Sequence, residues 1–193
     1  MKSGSKKKRT LVYNLIILIS FCLGFAVHNP VMRIYHRIER GVKESQHKKN
    51  IVDTPLSLLL DEQQVLSLQD EKIVLQQSEG RLKILYFWSP RCGKCKDAAI
   101  QIQEFEKTNT EPVTIYGIPV AYEKQEVRDY NTKHDVDWIQ IWGNNVEKKN
   151  YNLFDYFAVP EVWIIGYDNI VKKVLIGTDE IKDIDTKFPF GGK

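Results

Sequence analysis

The sequence predicts an α/β domain, a mixed central sheet flanked by helices, carried behind a hydrophobic N-terminal segment. Three observations predict it. Short β-prone apolar runs alternate with stretches of helical periodicity from Val65 onward, an uncharged apolar run occupies Leu11 to Val27, and the charge changes sign near Asn50. At 193 residues the chain has room for one ordinary domain and an appendage. Its 42% hydrophobic, 11% aromatic and 27% charged residues are those of a globular protein, and three cysteines cannot build a framework of crosslinks.

The net charge of +3 conceals two opposite halves. Residues 1–50 carry 11 Lys and Arg against 2 acidic groups, a net +9, and residues 51–193 carry 17 against 23, a net −6. A nucleic-acid footprint needs cations clustered on the folded domain, and here that domain is acidic, so nucleic acid is excluded as a partner.

Residues 1–10 form a basic segment ending in Lys6, Lys7, Lys8 and Arg9, expected on the cytoplasmic side. Residues 11–27, LVYNLIILISFCLGFAV, are predicted to be a single transmembrane signal-anchor helix. At ~1.5 Å per residue such a helix falls slightly short of a ~30 Å hydrocarbon core and spans it with snorkelling flanks. A cleaved signal peptide is the rival, with Gly24-Phe25-Ala26 as a weak site, but the apolar run exceeds the ~7–15 residues of a signal core. Cys22 within it reads as a buried apolar thiol. Residues 28–50 are a juxtamembrane segment, in which Val31, Ile34, Ile38 and Val42 recur at helical spacing between Arg33, Arg37, Arg40 and Lys43. That pattern suits an amphipathic helix on anionic headgroups or a solvated stalk, with Glu44 to Asn50 as a polar linker.

The domain proper is placed at residues 51–193. Val65–Leu68 and Ile73–Leu75 read as an N-terminal hairpin extension, and Leu82–Trp88, LKILYFW, as a central buried strand. A helix follows over Cys92–Lys107, with Ala98, Ala99, Ile102 and Phe105 on its apolar face. Then come a strand at Val113–Ile118, a helix at Glu123–His134 and a strand at Trp138–Trp142. A short helix is expected around Leu153–Phe157. Strands Val162–Ile165 and Ile170–Ile176, joined by the turn Gly166-Tyr167-Asp168-Asn169, make a terminal hairpin. The tail from Asp179 leaves little room for a long closing helix.

The segment with chemistry in it is Trp88-Ser89-Pro90-Arg91-Cys92-Gly93-Lys94-Cys95, a C-x-x-C where a buried strand turns into a helix. Cys92 falls at the helix N-terminus, where unpaired N–H groups and the positive end of the dipole stabilise a thiolate, so it is the candidate nucleophile. Cys95, one turn on, faces the same side and is the candidate resolving thiol, more buried and harder to ionise. Arg91 and Lys94 add positive charge, individually weak if solvated. Zinc would need two more ligands. Cys22 lies in the apolar segment, His28, His36 and His47 in the juxtamembrane segment, and only His134 in the domain, so neither metal nor cofactor is expected.

With these residues the soluble part resembles the thioredoxin superfamily, specifically its membrane-anchored TlpA/ResA-like thiol-disulfide oxidoreductases. The resemblance covers about Val65 to Gly177 and rests on the strand ending Phe87-Trp88, the C-x-x-C, and Val159-Pro160 before the terminal hairpin. It implies a thioredoxin-like fold and a cis Pro160 facing the two cysteines, with the backbone of Val159 pairing with a bound substrate strand and Trp88 part of the substrate-binding surface. A proline before the run Val162-Trp163-Ile164-Ile165 also fits on its own terms, since it cannot donate to a ladder and X-Pro bonds alone commonly turn cis. Three departures stand out: Tyr86 occupies the place of the buried aspartate of many thioredoxins, the intervening dipeptide is Gly-Lys, and the closing helix is truncated. Glu161 is a substitute for the missing acid if it points at the thiols, and otherwise an exposed rim carboxylate.

The function this implies is a membrane-tethered thiol-disulfide oxidoreductase that reduces protein disulfides on the periplasmic side of the cytoplasmic membrane. Its expected partners are disulfide-bearing proteins such as apocytochromes, an integral-membrane thiol electron donor, and the lipid bilayer. The alternative is a non-catalytic thioredoxin-fold binding module or a Cu(I)-handling chaperone, for which two soft thiolates are suited.

Overall fold

The computed structural model describes residue 30 and residues 32–59, 65–75, 81–109, 111–120, 123–142 and 154–184. The predicted span at residues 11–27, with Cys22, lies outside them, and no described helix is long and apolar enough to cross a membrane. The chain divides into two units at Gln46/His47.

In the first unit residues 32–46 are helical (α1). Ile34, Ile38 and Val42 stand one turn apart and are 57%, 62% and 64% exposed, the apolar stripe that the spacing predicts. Glu39 and Lys43 close an i,i+4 ion pair at 2.8 Å on the same helix.

The second unit begins four residues before the predicted boundary, with a helical turn over residues 47–51 in place of a polar linker. His47 is buried, and Lys48 Nζ donates to both carboxylate oxygens of Glu180 at 2.6 and 2.7 Å. The partners of these two residues, Glu161 and Glu180, lie 114 and 132 positions further along the chain, so a local reading has no means of finding them.

A short helix Leu56–Leu59 (α2) follows, then the 65–75 segment, where Ser67 N donates to Glu71 O and Ile73 N to Val65 O. The predicted hairpin is there, reduced to a single Leu66–Lys72 bridge around a turn with Asp70 at φ 64°. The sheet is built from β1 (Leu82–Trp88), β2 (Val113–Pro119), β3 (Ile139–Gln140), β4 (Glu161–Ile165) and β5 (Val171–Ile176), in the order β3-β2-β1-β4-β5. β1 runs parallel to β2 and antiparallel to β4, so the sheet is mixed, as predicted. The helices are α3 (Gly93–Thr108), α4 (Lys124–His134) and α5 (Thr178–Ile181).

β1 is buried along its whole length because the sheet is covered on both faces. Its even residues, Ile84, Tyr86 and Trp88, pack with Ala98, Ile102 and Phe105 of α3. Its odd residues, Leu85 and Phe87, pack with Ile51 of the 47–51 turn, Leu56 of α2 and Phe154. Residues 154–157 are not helical, contrary to expectation. The chain there lies across the sheet, Phe154 edge-on to Phe87 and Trp163 and Tyr156 stacked on Phe87, and the Phe157 amide is taken by Glu161.

Candidate active site

The end of β1 delivers the dithiol. After Trp88 the chain turns through Ser89 and Pro90, and Cys92 N donates to Ser89 O at 3.0 Å. Cys92 is the N-cap of α3 with extended backbone, φ −98° and ψ 107°, and makes no side-chain cap hydrogen bond, so it sits at the end of the helix where the first-turn N–H groups and the positive end of the dipole lie. Cys92 is half-buried and Cys95 fully buried, both reduced. The helical spacing puts the two thiols in hydrogen-bonding reach of each other. Burial first, and then the hydrogen bond with Cys92, push the Cys95 thiol well above the usual cysteine range.

Across from the dithiol stands the segment before β4. The Val159-Pro160 bond is cis and Pro160 is buried. The carbonyl oxygen of Val159 lies 4.0 Å from Cys92 Sγ, so the structure brings together Cys92, Cys95, Val159 and Pro160, distant in the sequence. A sulfur half open to solvent beside a backbone carbonyl is an arrangement in which an extended strand can pair while its own sulfur is attacked.

The remaining candidates fall elsewhere. Trp88 is 2% exposed, its indole donating to Gln140 Oε1 at 3.1 Å and its ring packed on Tyr130, so its side chain supports the site from below and forms no part of a docking surface. Strand alternation turns it inward, because β1 has both faces covered. Arg91 is exposed and ion-paired with Glu126, and Lys94 is exposed. Glu161 is neither a rim carboxylate nor a stand-in for the missing acid. It is 0% exposed, and in β4 it alternates with Val162 and Ile164, which pack with Cys95, so its side chain enters the opposite face with Trp163.

Sequence reasoning missed three supporting side chains. Tyr86, noted only as a departure, donates its hydroxyl to Cys95 O at 2.6 Å beneath the dithiol. Gln140 accepts from Trp88 and donates to Trp138 O, seated over Gly117. His47 joins Glu161 from the far end of the unit. The period-2 alternation of β1 could have placed Tyr86 on the face of Trp88 and α3, whereas nothing local marks His47 or Gln140. Among the described residues no cluster of three or more His, Cys, Asp or Glu side chains is arranged to hold a metal ion.

No family model matches the chain. Among curated proteins it is similar to the thioredoxin-like protein YneN of Bacillus subtilis, 21% identical over 174 residues that make up 89% of this chain and 93% of the relative. Among solved structures it superposes on the thioredoxin domain of a Bacteroides vulgatus thiol-disulfide oxidoreductase with a TM-score of 0.51 and 13% identity, covering 62% of this chain and 87% of that one. DsbF of Mycobacterium tuberculosis gives a TM-score of 0.52 and 18% identity, over 64% and 95% of the two chains. A secreted disulfide oxidoreductase of the same organism gives 0.50 and 16%, over 62% and 91%. A mixed β3-β2-β1-β4-β5 sheet, a dithiol capping the helix after its central strand and a cis Val159-Pro160 bond whose Val159 carbonyl lies beside Cys92 agree with these likenesses, and the chain has a thioredoxin-like fold.

Proposed function

We propose that the protein is a membrane-tethered thiol-disulfide oxidoreductase of the TlpA/ResA-like kind, reducing disulfides of proteins outside the cytoplasm. The observation that carries this reading is the graded pair of thiols: half-buried Cys92 at the helix tip beside the Val159 carbonyl, and Cys95 buried behind it with its proton held tightly. A thiolate at Cys92 attacks one sulfur of a substrate disulfide, forming a Cys92–substrate bond and expelling the other substrate sulfur, which takes up a proton. Cys95 then gives up its proton and attacks Cys92 Sγ, releasing the second substrate thiol and leaving a Cys92–Cys95 disulfide. Two electrons pass to the substrate, and a thiol donor must return them. The burial of Cys95 delays its ionisation until the mixed disulfide has formed next to it, which lets the docked substrate persist long enough to be resolved.

The tether is read from the apolar run at residues 11–27 and the basic residues before it. The exposed stripe Ile34, Ile38 and Val42 among Arg33, Arg37 and Arg40 supports contact of α1 with an anionic lipid surface. Insulin-disulfide reduction by the full-length chain in detergent tests the activity: Cys92→Ala is expected to abolish it, and equal rates would remove the enzymatic reading. Cys95→Ala is expected to accumulate mixed disulfides with substrate proteins. A reporter fused after Lys193 is expected to be active only outside the cytoplasm.

A further inference from the structure

The disulfide exchange described above does not use Glu161, yet Glu161 is a fully buried carboxylate two residues from Val159, whose carbonyl lies beside the nucleophile. Desolvating a carboxylate is costly unless every oxygen is met. Here both are. Oε1 accepts from Trp163 Nε1 at 2.6 Å and meets His47 Nε2 at 2.8 Å, and Oε2 accepts from the backbone N–H of Phe157 at 2.7 Å and of Ala158 at 3.2 Å. A carboxylate only accepts, so the imidazole faces it with Nε2–H, and four donors converge on one acceptor group.

The consequence is local. Phe157 and Ala158 lie in the irregular stretch that ends at Pro160, and their amides have no ladder to join. Glu161 itself is fixed in β4, paired with Phe87 and Ile176, and Gly177 N donates to Pro160 O at 2.9 Å. The four residues 157–160 are therefore held at both ends, at one by strand pairing and at the other by the carboxylate. Between those points lies the Val159 carbonyl that faces Cys92 Sγ. His47 completes the shell from the first turn of the unit, its ring 5.8 Å from that of Phe157.

We propose that Glu161, held by His47, is the positioning residue that sets the Phe157–Pro160 segment against Cys92 and so governs docking of an extended protein strand, while leaving the reactivity of the thiols alone. The proposal rests on the disulfide-exchange reading for its substrate and specifies how that substrate is recognised. It separates two kinds of disulfide: a protein strand must pair with the segment, whereas a small aromatic disulfide reaches Cys92 without it.

The test compares the full-length chain in detergent with Glu161→Gln and His47→Ala. An amide at position 161 would turn an NH2 toward donors on one side, and His47→Ala removes one donor while leaving Trp163 and both backbone amides in place. Hydrogen exchange at Phe157 and Ala158 is expected to rise about tenfold in the variants. KM for insulin is expected to rise about fivefold, roughly the worth of one hydrogen bond, with kcat and the rate of reaction with 5,5′-dithiobis(2-nitrobenzoate) within about twofold. Unchanged exchange at the two amides would overturn the proposal, and so would a small-disulfide rate that falls as far as insulin reduction. Should Glu161→Gln not fold, His47→Ala carries the comparison. An unmutated chain that reduces no insulin would sink the function proposed above, and the amide exchange would then judge the positioning claim alone.

Discussion

The hydroxyl of Tyr86 donates to the carbonyl oxygen of Cys95 at 2.6 Å, so a phenol fills the space beneath the dithiol. Burial, and then the neighbouring Cys95 charge, push this phenol far above the usual tyrosine range. It stays protonated and acts as a donor, never as a base. Tyr86→Phe is expected to cost about 0.5–1.5 kcal/mol, the net worth of one hydrogen bond, read from the urea midpoint with unchanged m-value. A loss of insulin reduction far beyond the change in folded fraction would show that the hydroxyl also moves protons.

The buried thiol of Cys95 makes the reduced protein sensitive to alkali. An unfolded cysteine ionises near pH ~8.5, whereas the folded Cys95 keeps its proton to higher pH. Above that point the native state binds more protons than the unfolded state, so stability falls as pH rises, by up to about 1.4 kcal/mol per pH unit, and is fully present below it. Urea unfolding of the reduced protein from pH 7 to 10 is expected to fall away more steeply than that of Cys95→Ala. Parallel curves would count against the assignment.

Two glycines are predicted to respond in opposite ways. A Cβ at Gly117 would overlap the side-chain amide of Gln140, which is buried and bound to both Trp88 and Trp138. Gly117→Ala is therefore expected to destabilise by about 1–3 kcal/mol through displaced packing and lost hydrogen bonds. At Gly93, in the first turn of α3, a Cβ meets nothing within 4 Å. Gly93→Ala is expected to be neutral or to stabilise by up to about 1 kcal/mol. Thermal melts of the two variants, run side by side, check the contrast.

Arg91 borders the nucleophile, but its side chain is 64% exposed and engaged with Glu126. An exposed pair of this kind contributes at most about 1 kcal/mol. Arg91→Ala is expected to leave the melting temperature nearly unchanged and insulin reduction within about twofold; a larger drop in rate would give Arg91 a direct role at the thiols.

The elements that carry the dithiol were legible because their signals are local. The run LKILYFW gives β1 to the residue, and the spacing of Ala98, Ala99, Ile102 and Phe105 gives α3 within one residue of its end. Pro160 stood out because proline before a strand has few uses. What escaped was set by distant partners. Residues 154–157 carry aromatic spacing compatible with a helix, but Glu161 claims the Phe157 amide and Phe87 the rings of Phe154 and Tyr156. Glu161 follows a loop and reads as exposed until the donors of His47 and Trp163 are brought to it. Trp88 reads as a surface anchor because its place beside the cysteines is visible in the sequence, while the Gln140 amide that takes its indole N–H is 52 positions away.

The first turn of the second unit bears on how a truncated version should be cut. A fragment trimmed to begin at Ile51, where hydrophobicity alone suggests, would discard the imidazole and the ammonium that meet Glu161 and Glu180, and would leave the buried Glu161 carboxylate one donor short. Poor yield from such a fragment would reflect the choice of scissor point and say nothing against the intact polypeptide.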